Sequence, residues 1–365
     1  MKFWLSIILI VGPLILGTFL SIAKELKRRT KIIVWVICLL ICFCGVYLLV
    51  EQKKAEEEKA KAEKFERELL ERQELRGRGL TQEYIDGLGE NPLLRHFFNS
   101  GQNYKKEYKF KQAIKEYEKC LSHPGATQEN KVAANILIGN CYYLLSELKK
   151  AEKHYKEALT ISEKVKDKTE RLEGKSGALN NLGNVYADLG DFKKAIEYHE
   201  KSLNIKKERG DRTGESVCYA NLGTVYADLG DLKKAIEYCE KSLGIFKEIG
   251  DKAGESKCYT GLSNAYDGLG DFKKAIEYCE KSLEIDKKIG DKAGESASYT
   301  NLGNAYFGLC DFKKAIEYYL NAEKIFTETV QTHYLKMVYH NLSLAYEKLG
   351  DDENAKKYKG LANSK

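Results

Sequence analysis

The side chains in this sequence that could most readily act as nucleophiles, metal ligands or proton carriers are its cysteines and His199. The chain has ten cysteines but no Cys-x-x-Cys pair, so its spacing predicts neither a zinc site nor a disulfide framework. We expect small buried thiols instead. His199 aligns with Cys239, Cys279 and Tyr319 in equivalent segments, which is typical of a core position. With no nucleophile, paired carboxylates or phosphate loop in view, we expect no catalysis, no metal and no cofactor. The seven cysteines beyond the apolar N-terminal segments are Cys120, Cys141, Cys218, Cys239, Cys258, Cys279 and Cys310.

Asparagine is the second residue type that could do chemistry, because it recurs at two positions of a repeated segment. A carboxamide donates and accepts hydrogen bonds, so it can pair the backbone of an extended peptide, whose buried groups cost about 1–3 kcal/mol each when unpaired. Positions three apart on a helix are neighbours, which predicts a ladder of carboxamides along one face. Two other interpretations remain open: solvated side chains copied by duplication, and side chains that tie neighbouring units together. The candidates are Asn184, Asn264 and Asn304, with Asn181, Asn221 and Asn301 beside them.

Four near-identical segments position these residues. They recur every 40 residues, as in Leu182-Gly183-Asn184-Val185-Tyr186 and Leu222-Gly223-Thr224-Val225-Tyr226. A fixed period of this length is the signature of a solenoid, in which each unit buries its apolar face against its neighbours.

Seven units align when a Gly or Ser is taken as the anchor of each. A Tyr follows every anchor by three residues and an Ala by twelve. The small anchor and the Ala allow two helices to approach closely, a Gly ends the first helix, and an Asp then caps the second. The anchors are Gly101, Gly139, Gly183, Gly223, Ser263, Gly303 and Ser343; the turn glycines are Gly190, Gly230, Gly270 and Gly350, and the capping residues are Asp191, Asp231, Asp271 and Asp311.

This pattern resembles the tetratricopeptide repeat. The 40-residue version is similar to the repeats of the Pins/LGN group of G-protein-signalling modulators. The resemblance implies a concave groove that binds extended peptides through Asn side chains of the first helix of each unit. It also implies a basic residue near the start of that helix for acidic ligands, but only Lys257 fits, beside Gly177, Val217 and Ala297. Lys257 therefore joins the candidate groove, and recognition of acidic peptides is not predicted.

The predicted fold is all-α, a right-handed solenoid of about seven helix pairs over residues 92–365. Only three prolines occur in the chain, which suits a nearly all-helical protein. The net charge of +6 arises from 60 basic and 54 acidic residues. No basic stripe stands out, so we expect neither a nucleic acid nor a small-molecule substrate as partner.

The N-terminus carries two uncharged segments, residues 3–23 and 32–50. Each is long enough to cross a bilayer, so we predict transmembrane helices at residues 1–23 and 32–50, joined by a basic loop, 24–31. The positive-inside rule places that loop in the cytoplasm and the repeats on the opposite side. Lysines after the second segment and the unpaired cysteines favour cytoplasmic repeats instead. The expectation is a two-pass membrane protein whose repeats are extracytoplasmic.

Residues 51–76 combine nine Glu with eight Lys or Arg. Opposite charges four residues apart favour a solvated helical stalk, with a short coiled coil as the alternative. Residues 77–91 contain glycines and Pro92 follows, which predicts a linker. The sequence as a whole predicts a membrane-anchored scaffold that binds an extended segment of a partner protein. The alternative is a structural subunit whose solenoid packs laterally in a membrane-associated assembly.

Overall fold

The computed structural model describes residues 92–328 and 332–363. All of them belong to one of the chain's two compact units, residues 62–365. Within these ranges the chain is entirely helical, with 14 helices joined by short turns. The helices are α1 (Pro92–Lys106), α2 (Phe110–Ser122), α3 (Gln128–Leu144), α4 (Leu148–Ser162), α5 (Lys168–Asp188), α6 (Phe192–Glu208), α7 (Arg212–Asp228), α8 (Leu232–Ile249), α9 (Lys252–Gly268), α10 (Phe272–Ile289), α11 (Lys292–Gly308), α12 (Phe312–Glu328), α13 (Thr332–Leu349) and α14 (Asp352–Asn363).

The helices pack as seven consecutive pairs, numbered here as repeats 1 to 7. The odd-numbered helix of each pair is its A helix and the even-numbered helix is its B helix. Each A helix packs against its own B helix, and each B helix packs against the next A helix. From α3 to α11, consecutive A helices also contact each other directly, whereas B helices pack chiefly against A helices. The A helices therefore lie on the inner side of the array. The all-α solenoid of repeated helix pairs is confirmed.

The turns between helices follow from the residues predicted there. Gly190, for example, has a φ of +76°, a left-handed conformation that glycine adopts without steric cost. The carboxylate of Asp191 then accepts a hydrogen bond from the Lys194 backbone N–H at 3.2 Å, which satisfies one free donor of the helix start. The same cap recurs at Asp231, Asp271 and Asp311.

The anchor residues allow the two helices of a pair to approach closely. In repeat 2, a β-carbon added to Gly139 would lie 2.5 Å from the ring of Tyr155. In repeat 5, Ser263 donates a hydrogen bond to the carbonyl oxygen of Ala275 at 2.9 Å. The predicted role of a small residue at the anchor is confirmed in both repeats.

No helix within residues 92–328 and 332–363 is long and apolar enough to cross a membrane. This finding contradicts the predicted localisation as a two-pass integral membrane protein with extracytoplasmic repeats. The segments that carried that prediction, 3–23 and 32–50 with the loop 24–31, lie outside the described residues. The predicted stalk, 51–76, and linker, 77–91, lie outside them as well.

Candidate peptide-binding face

The inner side of the array presents one residue per repeat at the position that follows the anchor. We call the surface formed by these positions and their exposed neighbours on the A helices the A face. The residues after the anchor are half-buried or exposed in repeats 3 to 7. They are Asn184, Thr224, Asn264, Asn304 and Leu344.

Asparagine pairs connect consecutive repeats along this face. The Nδ2 of Asn301 in repeat 6 donates to the Oδ1 of Asn264 in repeat 5 at 2.9 Å. The Nδ2 of Asn341 in repeat 7 donates to the Oδ1 of Asn304 in repeat 6 at 3.2 Å. In both pairs the donor lies two residues before its anchor, and the acceptor lies one residue after the preceding anchor. A third pair of the same kind joins repeats 3 and 2, from Asn181 to Asn140 at 3.0 Å.

These pairs leave the amide nitrogen of the acceptor available. The Oδ1 of Asn304 also accepts from the Tyr319 hydroxyl at 2.8 Å, so its carbonyl group is fully used. Among the residues that the structure describes, none accepts a hydrogen bond from the Nδ2 of Asn264 or Asn304. A carboxamide nitrogen carries two donors. Each of these side chains can therefore donate to a ligand without giving up its bond to the next repeat.

The link changes in the middle of the array. Asn221 of repeat 4 donates at 3.0 Å to Asn180, which lies three residues before the anchor of repeat 3. Between repeats 4 and 5 the two linking positions hold Thr224 and Gly261. The hydroxyl of Thr224 donates to its own helix, at the Ala220 carbonyl oxygen 3.2 Å away. No amide bridge can form there, because Gly261 has no side chain.

The structure places the sequence-predicted site residues in two groups. Asn184, Asn264, Asn304 and Lys257 lie on the A face, half-buried or exposed. Asn181 and Asn221 are buried between A helices, and the half-buried Asn301 makes the same kind of link. The interpretation that Asn181 and Asn221 tie neighbouring units together agrees with these hydrogen bonds, and Asn301 forms a similar link. Contact of either group with a ligand stays a prediction.

Three residues of the A face were missed by the sequence analysis. Asp267 lies three residues after Asn264, and one of its carboxylate oxygens, Oδ1, is buried without a hydrogen-bond partner. Burial raises the pKa of this carboxyl group. Met337 and Leu344 are exposed at 44% and 38% on the A helix of repeat 7. The sequence feature that could have identified Asp267 is its departure from the repeat, since Ala187 and Ala227 occupy the equivalent positions of repeats 3 and 4.

The thiols and the imidazole lie away from this face. Six of the seven described cysteines are buried and one, Cys310, is exposed, so the prediction of buried thiols is confirmed with that exception. Burial raises the pKa of the Cys239 and Cys279 thiols to about 12, which leaves them protonated and unreactive at neutral pH. His199 is fully buried as predicted, and its Nδ1 lies 3.1 Å from the Oδ1 of Asn180. Burial lowers its pKa to about 3.

The repeat pattern and the stacked helix pairs define a class of protein. The sequence profile of the tetratricopeptide repeat matches residues 132–208, 175–248, 215–288 and 294–359. These matches together cover more than half of the chain, and the protein belongs to the tetratricopeptide repeat family. No curated protein matches the sequence.

Solved structures with the same fold come from several kinds of protein. The apo form of RapI has a TM-score of 0.60 at 18% identity, covering 74% of this chain and 96% of that protein. A STAND signal-transduction ATPase with a tetratricopeptide repeat sensor, from Pyrococcus horikoshii, has a TM-score of 0.61 at 21% identity, covering 74% and 41%. The Rap conjugation gene regulator of plasmid pLS20, in complex with the Phr* peptide, has a TM-score of 0.54 at 19% identity, covering 74% and 73%. Nothing in these comparisons supports the narrower resemblance to the Pins/LGN group.

Proposed function

We propose that the protein is a non-catalytic scaffold that binds an extended segment of a partner protein on the A face. The proposal rests chiefly on one observation. Asn264 and Asn304 each use the carbonyl oxygen to hold the next repeat and keep Nδ2 without an acceptor among the described residues. A peptide in extended conformation needs donors for its backbone carbonyl groups when it leaves water, and these amide nitrogens can supply them whatever the peptide's side chains.

The geometry of the array suits such a ligand. Helices in contact lie about 8–10 Å apart, and an extended chain rises about 3.3 Å per residue. The A helices of repeats 5 and 6 therefore present their two donors, on Asn264 and Asn304, roughly three peptide residues apart. The plasmid pLS20 regulator, which shares the fold, was solved with a bound peptide. That complex supports a peptide ligand for this array as an analogy of fold.

A lateral assembly role is the second candidate, and an exposed apolar stripe favours it. A leucine at the end of each A helix from repeat 3 to repeat 7 is 41–51% exposed. Because the repeats stack, these side chains lie at one edge of the array, where the A helix turns into the B helix. The stripe consists of Leu189, Leu229, Leu269, Leu309 and Leu349. Sedimentation measures the oligomeric state of the unchanged chain and of a variant in which three of these leucines are replaced with Glu. Self-association that is lost in the variant would favour this role.

The test of peptide binding uses a change that spares the array. The double variant Asn264→Asp and Asn304→Asp keeps the acceptor oxygen for the next repeat but removes the free amide donors. Dodecapeptides selected from a random display library on the full chain are the probes, and their affinity is measured by fluorescence anisotropy. At about 0.5 M salt the added charges are screened, so a drop in affinity of about tenfold reports the lost donors.

The matched control is Asn204→Asp, because Asn204 is an exposed asparagine on the B helix α6. It should leave peptide affinity unchanged, and circular dichroism should show that both variants remain helical. If the library yields no binding peptide, or if the double variant binds as tightly as the unchanged chain, the A face is not the binding site.

A further inference from the structure

The A face carries one carboxylate that the fold itself does not explain. Asp267 lies in the last turn of α9, where the negative end of the helix dipole disfavours an anion. Its Oδ1 is buried, and none of the described residues donates a hydrogen bond to it. The equivalent residues of repeats 3 and 4 are Ala187 and Ala227, so the packing of the array does not need a carboxylate here. Buried polar atoms in native proteins almost always have partners. Because Asp267 as a whole is only half-buried, its carboxylate can be approached by a donor from outside the array.

The surroundings of Asp267 are those of a ligand subsite. Asn264 is three residues earlier on the same helix, which places both side chains on one side. The Nδ2 of Asn264 has no acceptor among the described residues, since the structure shows only its Oδ1 engaged, by Asn301. A carboxylate beside an available amide can hold a cationic side chain while the amide donates to the backbone of the same ligand.

Two repeats further along, the A face becomes apolar. Leu344 occupies the position that Asn264 and Asn304 hold in repeats 5 and 6. Met337 lies seven residues earlier on the same helix, so its side chain falls on the same side two turns away. Both side chains are exposed, at 38% and 44%. The position after the anchor thus changes from an amide to an aliphatic side chain at the end of the array.

We infer that the occupant of the A face is an extended protein segment with an Arg or Lys side chain on Asp267 and an apolar side chain on Leu344 and Met337. This inference rests on the function proposed above and names the chemistry of its ligand. Repeat 6 lies between the two subsites and contributes the free amide of Asn304 to the backbone. Two steps of about 8–10 Å between A helices, at about 3.3 Å per residue, separate the basic and the apolar residue by roughly five or six positions.

The probes are decapeptide pools that carry the two features at a fixed spacing. Each peptide is N-acetylated, so that a free terminus cannot replace the basic side chain, and is labelled with fluorescein at its C-terminus. One pool has Arg and Leu about six positions apart, in either order, with Ala, Ser, Gly and Asn elsewhere. Matched pools replace Arg with Glu, replace Leu with Ser, or bring the two residues to adjacent positions.

Anisotropy titrations on the full chain should show the Arg–Leu pool binding about tenfold tighter than the Glu–Leu pool, as expected for a charge-assisted hydrogen bond. The Asp267→Ala variant, which restores the residue of repeats 3 and 4, should lose the preference for Arg. The Leu344→Asn variant, which restores the residue of repeats 5 and 6, should lose the preference for Leu over Ser. Neither change should lower the thermal midpoint.

Two control variants change an exposed leucine and an exposed carboxylate on the B helices. Leu320→Glu replaces an exposed leucine of α12 with the residue of the equivalent Glu280. Glu240→Gln removes an exposed carboxylate of α8. Both should leave the affinity for every pool unchanged.

Equal binding of the Arg–Leu and Glu–Leu pools, or an Arg preference that survives in Asp267→Ala, would overturn the inference. The double variant Asn264→Asp and Asn304→Asp separates the two levels of the proposal. If the double variant binds the peptides more weakly, but the unchanged chain binds the Arg–Leu and Glu–Leu pools equally, the proposed function is supported and the inferred ligand chemistry is wrong. If it has no effect on any pool, both fall.

Discussion

The imidazole of His199 lies directly over Gly183, so that a β-carbon added to this glycine would sit 2.5 Å from the ring. In repeats 1 to 6 the anchor and the residue 16 positions later are thus a packing pair. The pair is Gly139 with Tyr155 in repeat 2 and Ser263 with Cys279 in repeat 5. A large partner such as Tyr155 leaves room only for glycine at the anchor, whereas the smaller Cys279 leaves room for serine.

The effect of replacing an anchor residue on the free energy of unfolding should therefore depend on the size of its packing partner. Gly223 faces the small Cys239, as Ser263 faces Cys279, so Gly223→Ser should change the free energy of unfolding little. Gly183→Ser should lower it by about 1–3 kcal/mol, the usual cost of overpacking a core. Urea unfolding of the two variants provides the comparison, and equal losses would show that the partner does not matter.

His199 should make the protein sensitive to acid. Its pKa is about 3 in the folded state against an ordinary value of 6.5, so the unfolded chain binds a proton between these values and the folded chain does not. This contribution to stability is complete above pH 6.5 and declines as the pH falls towards 3. Between pH 7 and pH 5 the loss from this group is about 2 kcal/mol.

The His199→Tyr variant should remove that part of the pH dependence. Tyrosine is the residue of repeat 6, where Tyr319 packs over Gly303, so the exchange fits the repeat. The measurement is the difference in unfolding free energy between pH 7 and pH 5, with the exposed His340→Tyr as control. A pH difference that is the same in the unchanged chain and in His199→Tyr would contradict the prediction.

Cys310→Gly should stabilise the protein. Cys310 has a φ of +62° at the turn where the equivalent Gly270 has +76°, and a side chain in this region is strained. Glycine should raise the free energy of unfolding by about 1 kcal/mol, measured as a higher urea midpoint. The reverse change, Gly270→Cys, should lower the midpoint, and a fall in both variants would mean that Cys310 contributes contacts that outweigh the strain.

Asn304→Ala should destabilise the array, whereas Asn304→Asp should not. Alanine removes the acceptor of both the Tyr319 hydroxyl and the Asn341 amide, and each unpaired buried donor costs about 1–3 kcal/mol. Aspartate keeps an oxygen in the same place. Thermal unfolding distinguishes the two variants, and equal midpoints would show that these hydrogen bonds are not needed.

The sequence predicted the helix pairs and their turns because each depends on local chemistry. A glycine with positive φ and a capping aspartate, such as Gly190 and Asp191, act within a few residues of the chain. It also predicted the burial of His199, because equivalent repeats show apolar residues there. These features required no knowledge of distances between repeats.

The roles of the asparagines could not be predicted in the same way. Asn181 and Asn184 are neighbours on one helix, yet Asn181 points to the preceding repeat while Asn184 lies on the A face. A helical wheel separates them by only about 60°, and the distance between A helices decides which side chain is covered. The departure of Asp267 from the repeat is visible in the sequence, but its unpaired carboxylate oxygen is not, because that depends on where the donors of the described residues lie in space.

The gap in the amide links at Thr224 and Gly261 has a mechanical consequence. In a repeat array, cooperativity is carried by the coupling between adjacent units. Repeats 2 to 4 and repeats 5 to 7 are each connected by side-chain amides, but the junction between these two blocks is not. The junction between repeats 4 and 5 is still closed by packing and by the Cys258 thiol, which donates to the Ser242 hydroxyl at 3.2 Å, but not by carboxamides. A bound segment that spans this junction would add a hydrogen-bonded connection between A helices that their own side chains do not make there.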